Sequence, residues 1–174
     1  FGAEEHMLGW LLLRRAFLSN LDAEMISQQA PPLGPDDFSH AENRALLAAL
    51  MSMDLSGEQT PEDRLSSLPV SLRDQARTIV AETQRRPPLG DEKLVKDLGD
   101  SLLRLRERNL QRQVQQLQYL IDEIEEEGER EQRRQLYDLM AAYSAQKRHI
   151  DTLLSVRSMA GAVARRKTGT GTKN

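Results

Sequence analysis

The sequence predicts an all-α protein: a compact helical bundle followed by a long helix and a C-terminal helical hairpin. Three observations predict it. Leu, Arg, Gln, Glu and Ala, all strong helix formers, dominate the chain, while Val, Ile and Thr are sparse. Over long stretches the apolar residues recur in steps of three and four, the period of one helix face. Pro and Gly gather at a few places and cut only the first half of the chain into short pieces.

In the first half, residues 3–18 predict one amphipathic helix, with Met7, Leu8, Leu11, Leu12 and Phe17 on a broad apolar face and Trp10 at its border. Residues 20–27 predict a short helix carrying Leu21, Met25 and Ile26, and Pro31-Pro32-Leu33-Gly34-Pro35 breaks the chain after it. Ser39 and Glu42 have the spacing of a capping box for a helix running to about Met53. Phe38 and Leu46 lie either side of that start, close to a hydrophobic staple. Thr60-Pro61-Glu62-Asp63 supplies a cap, a proline at the first helical position and acids in the first turn. That helix ends near Ser67, and another runs from about Ser71 to Thr83 with Leu72, Ala76, Ile79 and Val80 inward. Arg86-Pro87-Pro88-Leu89-Gly90 closes the segment. Residues 1–90 therefore predict a helical bundle subdomain.

Residues 91–158 predict a different object. Leu94, Leu98, Leu102, Leu105, Leu110, Val114, Leu117, Ile121 and Ile124 form one stripe. Leu136, Leu139, Tyr143, Ile150, Leu153 and Leu154 form a second, after a weak point at Glu127-Gly128-Glu129. At about 1.5 Å per residue the first arm, 91–127, would reach about 55 Å. A bundle of this size is only about 30 Å across, so the arm must leave it. Its early part, Leu94 to Leu105, packs on the bundle, and its later part pairs with residues 130–157. Gly99 inside the arm costs about 1 kcal/mol relative to Ala and marks close packing or a weak spot. From Met159 onward the spacing fails, and 159–174 predicts a disordered basic tail.

Composition narrows the function classes. The chain has 174 residues, is 39% hydrophobic and 29% charged, and carries a net charge of −3. Residues 1–90 hold 8 basic against 13 acidic side chains, a net −5, and residues 91–174 hold 16 against 14, a net +2. The absence of cysteine excludes disulfides, thiolate zinc sites and Cys nucleophiles and suits a cytoplasmic protein. The apolar run Met7 to Leu13 is too short to span a bilayer, so no membrane is implied. The chain starts at Phe1 rather than Met and reads as a piece of something longer.

No Gly-rich phosphate loop, Asp-x-Asp pair, nucleophile elbow or H-E-x-x-H motif is present. His6, His40 and His149 lie far apart in sequence and read as surface or cap-adjacent residues. The acidic run Asp122, Glu123, Glu125, Glu126, Glu127, Glu129 and Glu131 reads as a solvated hairpin tip, because a helix fans adjacent carboxylates apart instead of converging them on a metal. Arg104, Arg106, Arg108 and Arg112 read as helix-surface ion pairing such as Asp100–Arg104, with no aromatic residues interleaved to stack bases. The basic tail can touch nucleic acid weakly, through charge alone. No catalytic residue, metal site or cofactor is expected in this chain.

A hairpin has no pocket, and most of its stripe serves its own pairing. Tyr119, Leu120, Tyr137, Met140 and Val156 fall off the main stripe, and Leu153 and Leu154, near the end of the second arm, are left over once the pairing is made. Surplus apolar residues on a polar hairpin mark a candidate docking face for a protein partner.

The opening Glu4-Glu5-His6-Met7-Leu8-Gly9-Trp10-Leu11-Leu12-Leu13 resembles the E-x-x-L-L-x-L-L-L start of the C-terminal domain of bacterial DnaG-type primases. Asp36-Asp37-Phe38 through Arg44-Ala45-Leu46 resembles the D-F-x-x-x-x-x-R-x-L stretch that follows there, and Leu98 through Leu136 resembles that domain's long helix and hairpin. The resemblance covers about residues 3–158. It implies a non-catalytic helicase-binding domain, whose hairpin docks on the N-terminal domain of the hexameric, DnaB-type replicative helicase. Zinc-binding and polymerising domains would lie upstream. The helicase's own N-terminal domain fits the first two motifs as well, and a self-associating coiled-coil scaffold fits the stripe. The second arm, to residue 157, favours primase.

Overall fold

The computed structural model describes residues 2–53, 59–87, 89–124 and 130–168. Among them every regular element is helical: α1 (Ala3–Leu13), α2 (Ala16–Ser27), a 3-10 turn (Pro35–Asp37), α3 (Ala41–Ser52), α4 (Pro61–Ser67), α5 (Val70–Gln84), α6 (Asp91–Glu123) and α7 (Arg130–Thr168). The fold is all-α. The chain divides into two units, residues 1–105 and 106–174, and the boundary falls inside α6.

The first unit is built around α1, which packs most closely on α5 and also touches α2, α3 and α4. Met7, Leu8, Leu11 and Leu12 on α1 are sealed from solvent together with Phe17, Leu21, Met25, Phe38, Leu46, Leu47, Leu50 and Ala76. Gly9 explains how closely α1 approaches α5. A methyl group there would come within 1.9 Å of Thr83 Oγ1 and 2.9 Å of Thr83 Cβ, so only a residue without a Cβ lets these backbones meet. Leu94, Leu98, Leu102, Leu103 and Leu105, at the start of α6, are buried in this same unit.

An ion pair from Arg14 and a hydrogen bond from His6 hold that start in place. Arg14 makes two hydrogen bonds to Asp91, at 2.6 and 2.7 Å, and its guanidinium lies 4.6 Å from the Phe17 ring centre. His6 Nε2 lies 2.8 Å from Asp97 Oδ2.

Several helix ends are finished by side chains from other helices, which supply the partners that terminal backbone groups lack. The buried Glu4 carboxylate of α1 sits at the start of α3. It accepts from the Ser39 N–H at 2.6 Å, the His40 N–H at 3.4 Å and Asn43 Nδ2 at 2.8 Å. His40 is the residue that caps α3, so the capping box expected from Ser39 and Glu42 is not the one that forms. An acid from α1 already occupies that place, where it also suits the positive end of the helix. At the other end of α3, Arg15 donates to the carbonyls of Leu50 and Met51. Arg64 of α4 is buried and donates Nε to the Leu12 carbonyl at 2.8 Å and Nη2 to the Leu13 carbonyl at 2.6 Å.

That last contact corrects the single helix expected over 3–18. The chain leaves helical geometry at Arg14 (φ −143°, ψ 91°), because Arg64 satisfies the last carbonyls of α1 and lets it stop there. The Thr60 cap forms as the sequence predicts, with Asp63 N–H donating to Thr60 Oγ1 and Thr60 N–H donating to Asp63 Oδ2.

In the second unit α6 continues to Glu123, a little short of the expected 127. The predicted break at Glu127-Gly128-Glu129 lies outside the described residues. Helix α7 then runs on to Thr168, so residues 159–168, expected to be disordered, are helical. Alanine, which recurs over this stretch of sequence, is the strongest helix former. Residues 169–174 lie outside the described residues.

Candidate docking surface

The 106–123 half of α6 and α7 form one unit. Lys147 Nζ on α7 lies 3.6 Å from Glu107 Oε1 on α6 and 3.0 Å from Asp151 Oδ2 one turn on. The hydrogen bond to Asp151, reinforced by the charge of Glu107, holds the Lys147 ammonium above its ordinary value. Glu107 stands about as far before the end of α6 as Lys147 stands after the start of α7, the relation found in an antiparallel pair.

Burial follows one stripe on each helix. On α6 it comprises Leu110, Val114, Leu117 and Ile121, with Ile124 just past its end, all buried or half-buried at the predicted positions. On α7 the inward residues step as Arg133, Leu136, Met140, Tyr143, Lys147, Ile150, Leu154 and Arg157. Consecutive residues differ by about 100° around a helix, and this places Met140 inward and Leu139 outward, the reverse of the sequence expectation.

The expected docking residues therefore divide. Tyr119 (71% exposed), Leu120 (48%), Tyr137 (43%) and Val156 (60%) are open to solvent. Met140, Leu153 and Leu154 are half-buried at or beside the inward stripe of α7 and offer little outward surface. Two further residues are exposed against expectation: the sequence spacing puts Leu139 inward and Met159 in the tail, whereas both stand open to solvent on α7. A third feature outside the expectation is the basic group Arg130, Arg133 and Arg134, which with Tyr137 lines a shallow cleft of about 410 Å³. Its signal is visible in the sequence as basic residues directly after the acidic run.

The histidines and arginines singled out in the sequence mostly have polar partners. Both ring nitrogens of His6 are engaged, Nε2 with Asp97 at 2.8 Å and Nδ1 with Arg86 at 3.3 Å. His40 pairs with Glu4 at 2.9 Å and lies at a helix cap, and His149 is exposed. Among the described residues no cluster of His, Asp or Glu could hold a metal ion. Residues 125–127 and 129 of the acidic run lie outside the described residues, while Asp122 accepts from Gln118 Nε2 at 2.9 Å. Arg104, Arg106, Arg108 and Arg112 all have polar partners already, and Arg106 is buried. No described helix is long and apolar enough to cross a membrane.

Comparison with protein-family models, with curated proteins and with solved structures finds no match for this chain.

Proposed function

We propose that this chain is a helicase-binding module of a bacterial primase. It docks on the N-terminal domain of the hexameric replicative helicase and so brings primer synthesis to the replication fork in the cytoplasm. The observation that carries this reading is the apolar set exposed on the two-helix unit: Tyr119, Leu120, Tyr137, Leu139, Val156 and Met159. Single exposed hydrophobes are ordinary, but aromatic residues on an otherwise polar hairpin are the kind that anchor protein interfaces. The ordered motifs of the opening helix, the Asp-Phe segment and the long helix support the choice of partner. The mechanism is recruitment. Several copies tethered to one ring turn weak single contacts into a high local concentration of primase.

The test pairs two exposed aromatics. Tyr119→Ala with Tyr137→Ala should weaken binding to the purified helicase by tenfold or more, since anchor residues each cost on the order of 1–2 kcal/mol. Circular dichroism and the melting temperature should stay unchanged, because both side chains face solvent. Binding equal to the parent chain in a calorimetric titration would remove this surface from the interface.

A further inference from the structure

The first turns of α7 carry three guanidinium groups, Arg130, Arg133 and Arg134, around the cleft they share with Tyr137. Arg130 and Arg134 are exposed and Arg133 is half-buried. α7 opens with an acid in its first turn, Glu131, as α6 opens with Asp91 and Glu92 and α4 with Glu62 and Asp63, and Lys93 and Arg64 follow those acids closely. The helix end therefore accounts for the arginines neither way. What marks the place is three guanidinium groups gathered at one open cleft beside an exposed tyrosine.

On this evidence we infer that the Arg130–Arg133–Arg134 cleft receives a compact acidic segment of the protein partner, with Tyr137 as its apolar anchor. Guanidinium groups pair with carboxylates in forked, charge-assisted hydrogen bonds, and an adjacent tyrosine adds rigid contact area. A nucleic-acid backbone fits less well. Exposed Glu131 and Asp138 interrupt the positive surface on either side, and a continuous phosphate chain would have to run over them. The inference rests on the docking reading and names the chemistry of its partner: the helicase face that meets this end of α7 carries Asp and Glu side chains around an apolar contact.

The experiment uses the whole chain, with Arg130→Glu and Arg134→Glu together, titrated against the purified hexameric helicase at about 50 and about 300 mM NaCl, two ionic strengths with well-separated screening lengths. Parent binding should weaken with salt. The double variant should bind about tenfold or more weakly at low salt, with a flatter salt dependence. Arg134→Glu sets a third acid beside Glu131 and Asp138 on one helix face, so Arg130→Gln with Arg134→Gln is measured alongside and should lose binding while keeping the parent's melting temperature. A structural role for these arginines predicts a lower melting temperature in the glutamine pair, and that result would overturn the inference. So would binding within about twofold of the parent, or displacement of the helicase by a single-stranded oligonucleotide. Loss of binding in the tyrosine pair but not in the arginine pair would leave the docking reading standing and this inference fallen. A parent chain that does not bind the helicase at all would remove both.

Discussion

Glu4 is nearly sealed from solvent, yet it is charged and fully occupied. Burial alone would raise its carboxyl, but hydrogen bonds from Asn43, the Ser39 N–H and His40 outweigh that and hold it below its ordinary value near 4.5. The stability this gives is present in full above about that pH and is lost as pH falls through the lower folded value. Glu4→Gln should therefore flatten the fall in melting temperature between about pH 6 and about pH 3. Glu4→Ala should cost about 1–3 kcal/mol at neutral pH, since it removes the acceptor that the Ser39 N–H, His40 and Asn43 share. A Glu4→Gln melting curve with the parent's full acid dependence would show that the carboxylate is not the group responsible. None of this was legible in the sequence. Glu4 stands 35 residues from Ser39, and Arg64 more than 50 from Leu12, so neither cap has a local spacing to recognise. The Thr60 cap was legible because donor and acceptor lie three residues apart.

At the scale of elements, the long stripe of α6 was the clearest signal in the chain, because a 3.6-residue period repeated over many turns averages out local exceptions. The ends of helices and the rotation of α7 were harder. Two adjacent leucine-sized residues, Leu139 and Met140, can exchange roles with a small rotation, and their spacing alone favoured the wrong one. The same reasoning separates neighbours on α6. Ile121 is 1% exposed and Leu120 48% exposed. Ile121→Ala should cost about 2–4 kcal/mol in urea unfolding, while Leu120→Ala should stay within about 0.5 kcal/mol and act instead on partner binding. Equal losses for the two would mean that α6 turns a different face to α7.

At the scale of the whole molecule, two units divide the work. In the first, α1 gathers a core and is capped, clamped and closely packed by its neighbours. The second is two helices whose paired stripes leave aromatic and aliphatic side chains in solvent and a basic cleft at the start of α7. Fold class could be read from composition and period. The candidate docking surface could be read only in outline, because exposure depends on which residues the helix pairing consumes. The measurement that bears most directly on the central claim is sedimentation velocity of the chain alone and mixed with the hexameric replicative helicase. A monomer is expected alone and, in the mixture, a faster boundary carrying several copies of the chain with each ring. A chain that forms a stable dimer or tetramer by itself, and sediments apart from the helicase, would contradict it.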